Sequence, residues 1–246
     1  MNFLKTGLVV TTALLLMACG GGGGCSSAAS CAAAGSGTGT FTATPASAVS
    51  VGIGSGDKIE TTAQDIKYKF RYAVTVSDTS GRPVVGALVS VSTIMVGFYK
   101  GQILRDDKNK PIGIGVYNIP APSPFVFSGP PEFCASEDLN NNDKKDPGED
   151  VNNDDFLTPA KADVVAVIEG SNITNSQGIV FVVVEYPKIQ ANWIRYKLQA
   201  IAAVTGTEGK VTREETTGYA AGDDSTVSTP FLTSPYGVTP GCNNKF

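Results

Sequence analysis

The sequence predicts an all-β chain folded as an antiparallel sandwich. Three observations predict it: apolar and polar residues alternate over several short runs, turn residues separate those runs, and no segment carries an apolar stripe at the helical period. With 28 Gly and 14 Pro in 246 residues, and apolar runs dominated by valine, composition points the same way.

The first run opens at Lys67. Tyr68, Phe70, Tyr72, Val74 and Val76 alternate with Lys67, Lys69, Arg71, Ala73, Thr75 and Ser77, which places the aromatic and branched set on a core-facing side of one strand. Asp78 to Pro83 supplies a turn, and a second strand is expected through Val84–Val91. Later strands are expected at Val164–Glu169, at Ile179–Tyr186 after the turn residues Asn175–Gly178, and at Trp193–Thr205. In the last of these Ile194, Tyr196, Leu198, Ala200 and Ala202 alternate with Arg195, Lys197 and Gln199. Trp193, Arg195 and Lys197 make either a ligand-binding stripe or, the commoner arrangement, an exposed cross-strand cluster.

Between about residues 100 and 162 this pattern is interrupted for far longer than a usual connection of about 4 to 6 residues. Segment 134–160 of the interruption is dense in Asp and Asn. Counting Asp138 as the first position of a twelve-residue calcium loop puts Asn140 third, Asn142 fifth, the Lys144 carbonyl seventh, Asp146 ninth and Glu149 twelfth. Hard oxygen ligands at those positions, closed by an acid able to bind through both oxygens, are what Ca²⁺ needs. The segment nearly repeats with a shift of twelve, so that Asp150, Asn152 and Asp154 answer Asp138, Asn140 and Asn142. Thr158 and Lys161 stand at the ninth and twelfth positions of this second copy, which therefore lacks its bidentate acid. One full site and one partial or shared site are expected. Between Glu137 and Asp155 there are eight acidic residues against two lysines, a crowding that a divalent cation relieves. Position six is Asp143 where glycine is usual, and Asp tolerates the left-handed backbone better than most residues.

The N-terminus carries Lys5 followed by an uncharged, mostly apolar run from Thr6 to Ala18, the layout of a secretory signal peptide over 1–18. The run is shorter than the roughly 20 residues of a spanning helix. Leu16-Met17-Ala18-Cys19 resembles the bacterial lipobox, which implies that Cys19 is acylated and becomes the mature N-terminus. Gly20 follows it, with no Asp to retain the protein at an inner membrane, so the outer membrane is the favoured location. Residues 19–62, rich in Gly, Ala, Ser and Thr, are expected to be an unstructured tether with a span of about 35 Å, leaving 63–246 as the folded domain.

Four cysteines remain beside Cys19: Cys25, Cys31, Cys134 and Cys242. In an oxidising compartment three pairings are open. The favoured one joins Cys134 to Cys242, because both lie in the folded part. Histidine is absent, which removes Ser-His-Asp and Cys-His catalysis and His-ligated metals. A net charge of −4 with no basic cluster excludes nucleic acid as a natural partner.

Two resemblances follow from these residues. The stretch from Val74 to Val89, with its Val-Thr-Val strand, Gly81-Arg82-Pro83-Val84 turn and Gly86-Ala87-Leu88-Val89, resembles the opening strands of bacterial immunoglobulin-like domains of the invasin and intimin type. Thr174 to Val182 is similar to their later hairpin, and Ala200 to Glu208 to their late strand and turn. This implies an immunoglobulin-like sandwich. Segment 138–149 resembles the loops of EF-hand and dockerin proteins, although Pro130, Pro131 and Pro159 leave no room for flanking helices. The function expected is that of a non-enzymatic envelope lipoprotein, structural or adhesive, held to a membrane by its lipid and binding another envelope or surface protein or a glycan. The alternatives are a calcium-dependent surface hydrolase, for which no carboxylate pair stands out, and a carbohydrate-binding module built on Trp193 and nearby tyrosines.

Overall fold

A computed structural model describes residues 49–105, 111–117, 127–223 and 231–244, all within one compact unit, Thr42–Phe246. The expected signal peptide, Cys19, Cys25, Cys31 and the tether up to residue 48 lie outside the described residues.

Among the described residues eleven strands appear in order: β1 (Val49–Thr61), β2 (Lys67–Asp78), β3 (Leu88–Lys100), β4 (Gln102–Arg105), β5 (Pro111–Tyr117), β6 (Phe127–Gly129), β7 (Glu132–Ala135), β8 (Val165–Glu169), β9 (Ile179–Pro187), β10 (Ile194–Val204) and β11 (Thr207–Thr216). One four-stranded sheet runs β1-β2-β9-β8 and the other β11-β10-β3-β7, while β4-β5-β6 form a small third sheet. Every pairing is antiparallel. The only helical elements among the described residues are two single turns of 3-10 helix, Lys161–Asp163 and Lys188–Gln190.

The period of two decides what is buried. Tyr68, Tyr72, Val74 and Val76 of β2, Val180, Val182, Val184 and Tyr186 of β9, and Ile194, Tyr196, Leu198, Ala200 and Ala202 of β10 join one core cluster. The Tyr72 and Tyr196 hydroxyls meet inside it at 2.8 Å, so two polar tips satisfy each other where water cannot reach. Burial pushes the Tyr72 phenol up to about 12, against the lowering effect of its hydrogen bond with Tyr196.

Three expectations need correction. Residues 49–61, assigned to the tether, form β1, pairing Val51 with Val76 and Ile53 with Val74. Its Gly and Ser residues disguised a strand whose Val49, Val51, Ile53 and Ile59 pack against the core from the edge of the sheet. The second expected strand starts at Leu88 rather than Val84 and runs on to Lys100, because Val84–Ala87 is consumed by a turn in which Gly86 has φ 81°. That turn is pinned by Thr174, whose Oγ1 donates to Val84 O at 2.7 Å and accepts from Ala87 N–H at 2.9 Å. Trp193 is neither in a stripe nor exposed: it is fully buried, and its indole N–H donates to Phe231 O at 2.9 Å. Arg195 and Lys197 turn outward instead and pair with Glu214 of β11.

The excursion leaves the sandwich through β7. Gly97 of β3 lies so close to β7 that a Cβ there would stand 2.2 Å from Cys134 O, which only glycine permits. Cys134 and Cys242 form the expected disulfide, with Cα atoms 5.4 Å apart. The bridged tail is gripped a second time: Lys100, fully buried, donates from Nζ to Gly241 O at 2.9 Å and Asn244 O at 3.1 Å. Loss of water there pulls the Lys100 ammonium below its ordinary value, and nearby Glu132 acts the other way.

Candidate metal centre

Segment 136–160 folds as two successive loops with the same backbone design. In the first, Asp138 Oδ1 accepts from Asn142 N–H and Oδ2 from Asp143 N–H, both at 3.0 Å. In the second, Asp150 Oδ1 accepts from Asp154 N–H at 2.9 Å and Oδ2 from Asp155 N–H at 3.0 Å. The third-position amides repeat this, since Asn140 Oδ1 takes Asn142 N–H and Asn152 Oδ1 takes Asp154 N–H. So do the fifth positions, where Asn142 Oδ1 accepts Lys144 N–H and Asp154 Oδ1 accepts Phe156 N–H. Short Asp and Asn side chains bonded to their own following backbone produce such turns. The left-handed residues also recur at a spacing of twelve: Asn141 and Asn153, both at φ 58°, and Asp143 and Asp155, at 60° and 71°. Asp at position six thus adopts the conformation expected to need glycine.

The first loop is closed by its own twelfth residue, and the second by an acid that precedes both loops. Glu149, twelfth in the first loop, accepts from Leu139 N–H at 3.0 Å and Asp146 N–H at 2.9 Å, the second and ninth positions of that loop. The second loop has Lys161 at its own twelfth position. Its second and ninth N–H groups, Val151 and Thr158, go to Glu137 instead, at 3.1 and 2.9 Å, and Asn152 N–H joins them at 3.1 Å. Glu137 precedes Glu149 by twelve residues, so each acid closes one loop, and both are buried, as is Asn152. Lys161 turns back to pair with Asp143, and Lys145 pairs with Asp155 at 2.9 Å, tying each loop's sixth position to a lysine.

One carboxylate oxygen from each of Glu137, Asp150 and Asp154 lies within 4.8 Å of the others, a group able to hold a metal ion. The gathered acids therefore stand in the second loop, where the sequence places the partial site. In the first loop Asp146 Oδ2 is instead engaged by the Asn140 and Asn142 amides at 2.7 and 2.8 Å. Those two amides hold the Asp146 carboxyl below its ordinary range. Partial desolvation pushes Asp150 up, but the N–H groups of Asp154 and Asp155 and the Lys145 ammonium outweigh it and hold the group low. Glu137 goes the other way, because burial raises it more than the Asn152 and Thr158 N–H groups lower it. Glu137 is the residue that counting along a single loop misses. Its signal in the sequence is that Glu137 and Glu149 are themselves a twelve-residue repeat, one position ahead of Asp138 and Asp150.

Among the described residues the sequence-predicted ligands Asp138, Asn140, Asn142, Asp146 and Glu149 share one loop, and Asp150, Asn152 and Asp154 share the next. Lys144 lies between Asn142 and Asp146 on the exposed rim of the first loop. Comparison with known proteins returned no matching family model, no matching curated protein and no matching solved structure.

Proposed function

We propose that this chain is a non-enzymatic cell-envelope lipoprotein, anchored through Cys19, in which an immunoglobulin-like sandwich presents a loop pair stiffened by Ca²⁺ and serves a structural or adhesive role. The carrying observation is the twelve-residue repeat of hydrogen bonds and left-handed positions, with Glu149 closing one loop and Glu137 the other. Every side chain offered is a hard oxygen donor on a short, flexible turn, the chemistry that suits Ca²⁺ rather than Mg²⁺. The first ion would be held by Asp138, Asn140, Asn142, the Lys144 carbonyl, Asp146 and Glu149. The second would be held by Asp150, Asn152, Asp154 and Glu137. Such ions neutralise carboxylates that otherwise repel one another.

Strand order supports the immunoglobulin-like reading. Setting aside β4-β6, the two sheets β1-β2-β9-β8 and β11-β10-β3-β7 follow the ABED and GFC arrangement of that fold, with β7 beside the third strand. The loop pair then leaves one sheet at β7 and re-enters the other at β8. Calorimetric titration of Ca²⁺ into the chelator-treated protein tests the reading: two binding events are expected, and a titration without heat refutes it. Anchoring has its own check, since Cys19→Ala should release the protein from membranes and abolish incorporation of labelled fatty acid.

A further inference from the structure

Among the described residues, backbone pairing of β3 on its side away from β10 is confined to its two ends, and midway the Thr93 hydroxyl donates to Val164 O at 2.6 Å. Val89 N–H donates to Asn172 O at 2.8 Å, and beyond the β-bulge at Val96 the Val96 carbonyl accepts from Ser136 N–H at 3.0 Å. Alternate residues of an antiparallel strand turn N–H and C=O to the same side. Val91, Thr93 and Met95 share the parity of Val89 and lie between those contacts, so their backbone groups point away from β10 as well. Among the described residues none of these groups has a hydrogen-bond partner. Thr93 and Met95 are nonetheless buried, and buried backbone groups left unpaired are costly.

Thr93 and Met95 line a cavity of about 560 Å³, within the size range of ligand sites. Ser92, Ile94 and Gln199 line it from the sheet, and Phe156, Leu157 and Pro159 line it from the metal-loop excursion. Phe156 is 73 % exposed, an aromatic ring held over the cleft with little to cover it. On the wall Lys145 pairs with Asp155 and Lys161 with Asp143, which leaves Asp138, whose oxygens accept the Asn142 and Asp143 N–H groups, as the one charge among the lining residues without a counter-ion.

We infer that this cleft binds an extended segment of another polypeptide, which adds as a strand to the open edge of β3 between Val91 and Met95 and places an apolar side chain against Ile94, Phe156 and Leu157. A ladder of alternating backbone donors and acceptors is complementary to another backbone in the extended form. Five residues at about 3.3 Å each would span the open stretch, roughly 16 Å. The inference deepens the adhesive role proposed above and rests on it for the use of the cleft. The excursion supplies the far wall, so calcium acts on the cleft by stiffening that wall.

The test uses the detergent-solubilised full chain with saturating calcium and a displayed library of random dodecapeptides. Enriched peptides should alternate apolar residues, slow amide exchange at Val91, Thr93 and Met95 by about tenfold or more, and lose binding when every second residue is N-methylated. Ile94→Arg, and separately Phe156→Ser on the exposed wall, should weaken the same peptides by about tenfold with the fold intact by circular dichroism. No enrichment, unchanged exchange at those three amides, tolerance of N-methylation, or binding of a glycan array at this cleft in place of peptides overturns the inference. Repeating the measurement in chelator separates it from the calcium reading: peptide protection without any calcium binding would keep the cleft and discard the ions.

Discussion

Replacing Glu137 by Gln puts the closure of the second loop by an acid from outside it to its sharpest test. The Glu137 carboxylate is 3 % exposed and accepts three backbone N–H groups through two oxygens. Gln has one acceptor oxygen, so it keeps either the Val151 and Asn152 donors or the Thr158 donor, and turns an NH₂ toward the rest. One or two buried donors are stranded at about 1–3 kcal/mol each. In chelator the variant should therefore lose about 3 kcal/mol, which for a domain of this size lowers Tm by about 10 °C. That loss alone would fit a purely structural role. The discriminating quantity is the gain on adding Ca²⁺ at 100 times its dissociation constant, about 2.7 kcal/mol per ion. Wild type with two ions should gain about 16 °C and Glu137→Gln about 8 °C, and Glu149→Gln should lose the other half. Differential scanning calorimetry with and without calcium reads all four values. An undiminished calcium increment in Glu137→Gln would remove that residue from the ligand set.

Other perturbations reach the frame that holds the loops. Cys242→Ser opens a bridge spanning 108 residues of sequence and should cost about 4–5 kcal/mol in the chain-entropy account, read by urea unfolding; an unchanged midpoint would mean the pair is not bridged. Tyr72→Phe leaves the buried Tyr196 hydroxyl unpaired and should cost about 1–3 kcal/mol, whereas the double variant with Tyr196→Phe should recover part of it; strictly additive losses would argue against the pair. Asp223 accepts from the Tyr68 hydroxyl at 2.6 Å and pairs with Lys188 at 3.1 Å, and these partners, the tyrosine foremost, hold its carboxyl below the ordinary range. A depressed folded value means its contribution is present above the unfolded value and disappears as pH falls through the folded one. Asp223→Asn should therefore flatten the drop in Tm below about pH 4, and an acid limb identical to wild type would contradict this.

How much of the molecule is legible before folding depends on whether the deciding interactions are local. β2, β9 and β10 announce themselves because a half-buried strand writes its burial into every second residue, as Tyr68, Tyr72, Val74 and Val76 do. β1 does not, since a strand at a sheet edge needs side chains on one face only, and Gly52, Gly54 and Ser55 resemble the tether before them. Trp193 misleads for a related reason. Strand parity places it beside Arg195 and Lys197, but it stands just ahead of Ile194 where the chain turns, and the tail at Phe231 covers it.

At the candidate site the same division holds. Asx turns, left-handed Asn and Asp and the order of oxygen donors arise within a few residues, so the sequence by itself determined both loops and their spacing of twelve. Which acid closes the second loop is decided by contacts between Glu137 and residues 14 to 21 positions away. The open edge of β3 depends likewise on what β8, Asn172 and Ser136 do or do not cover. Such choices belong to the tertiary structure, because a side chain far along the chain gains a fixed partner only when packing has already brought the two segments together.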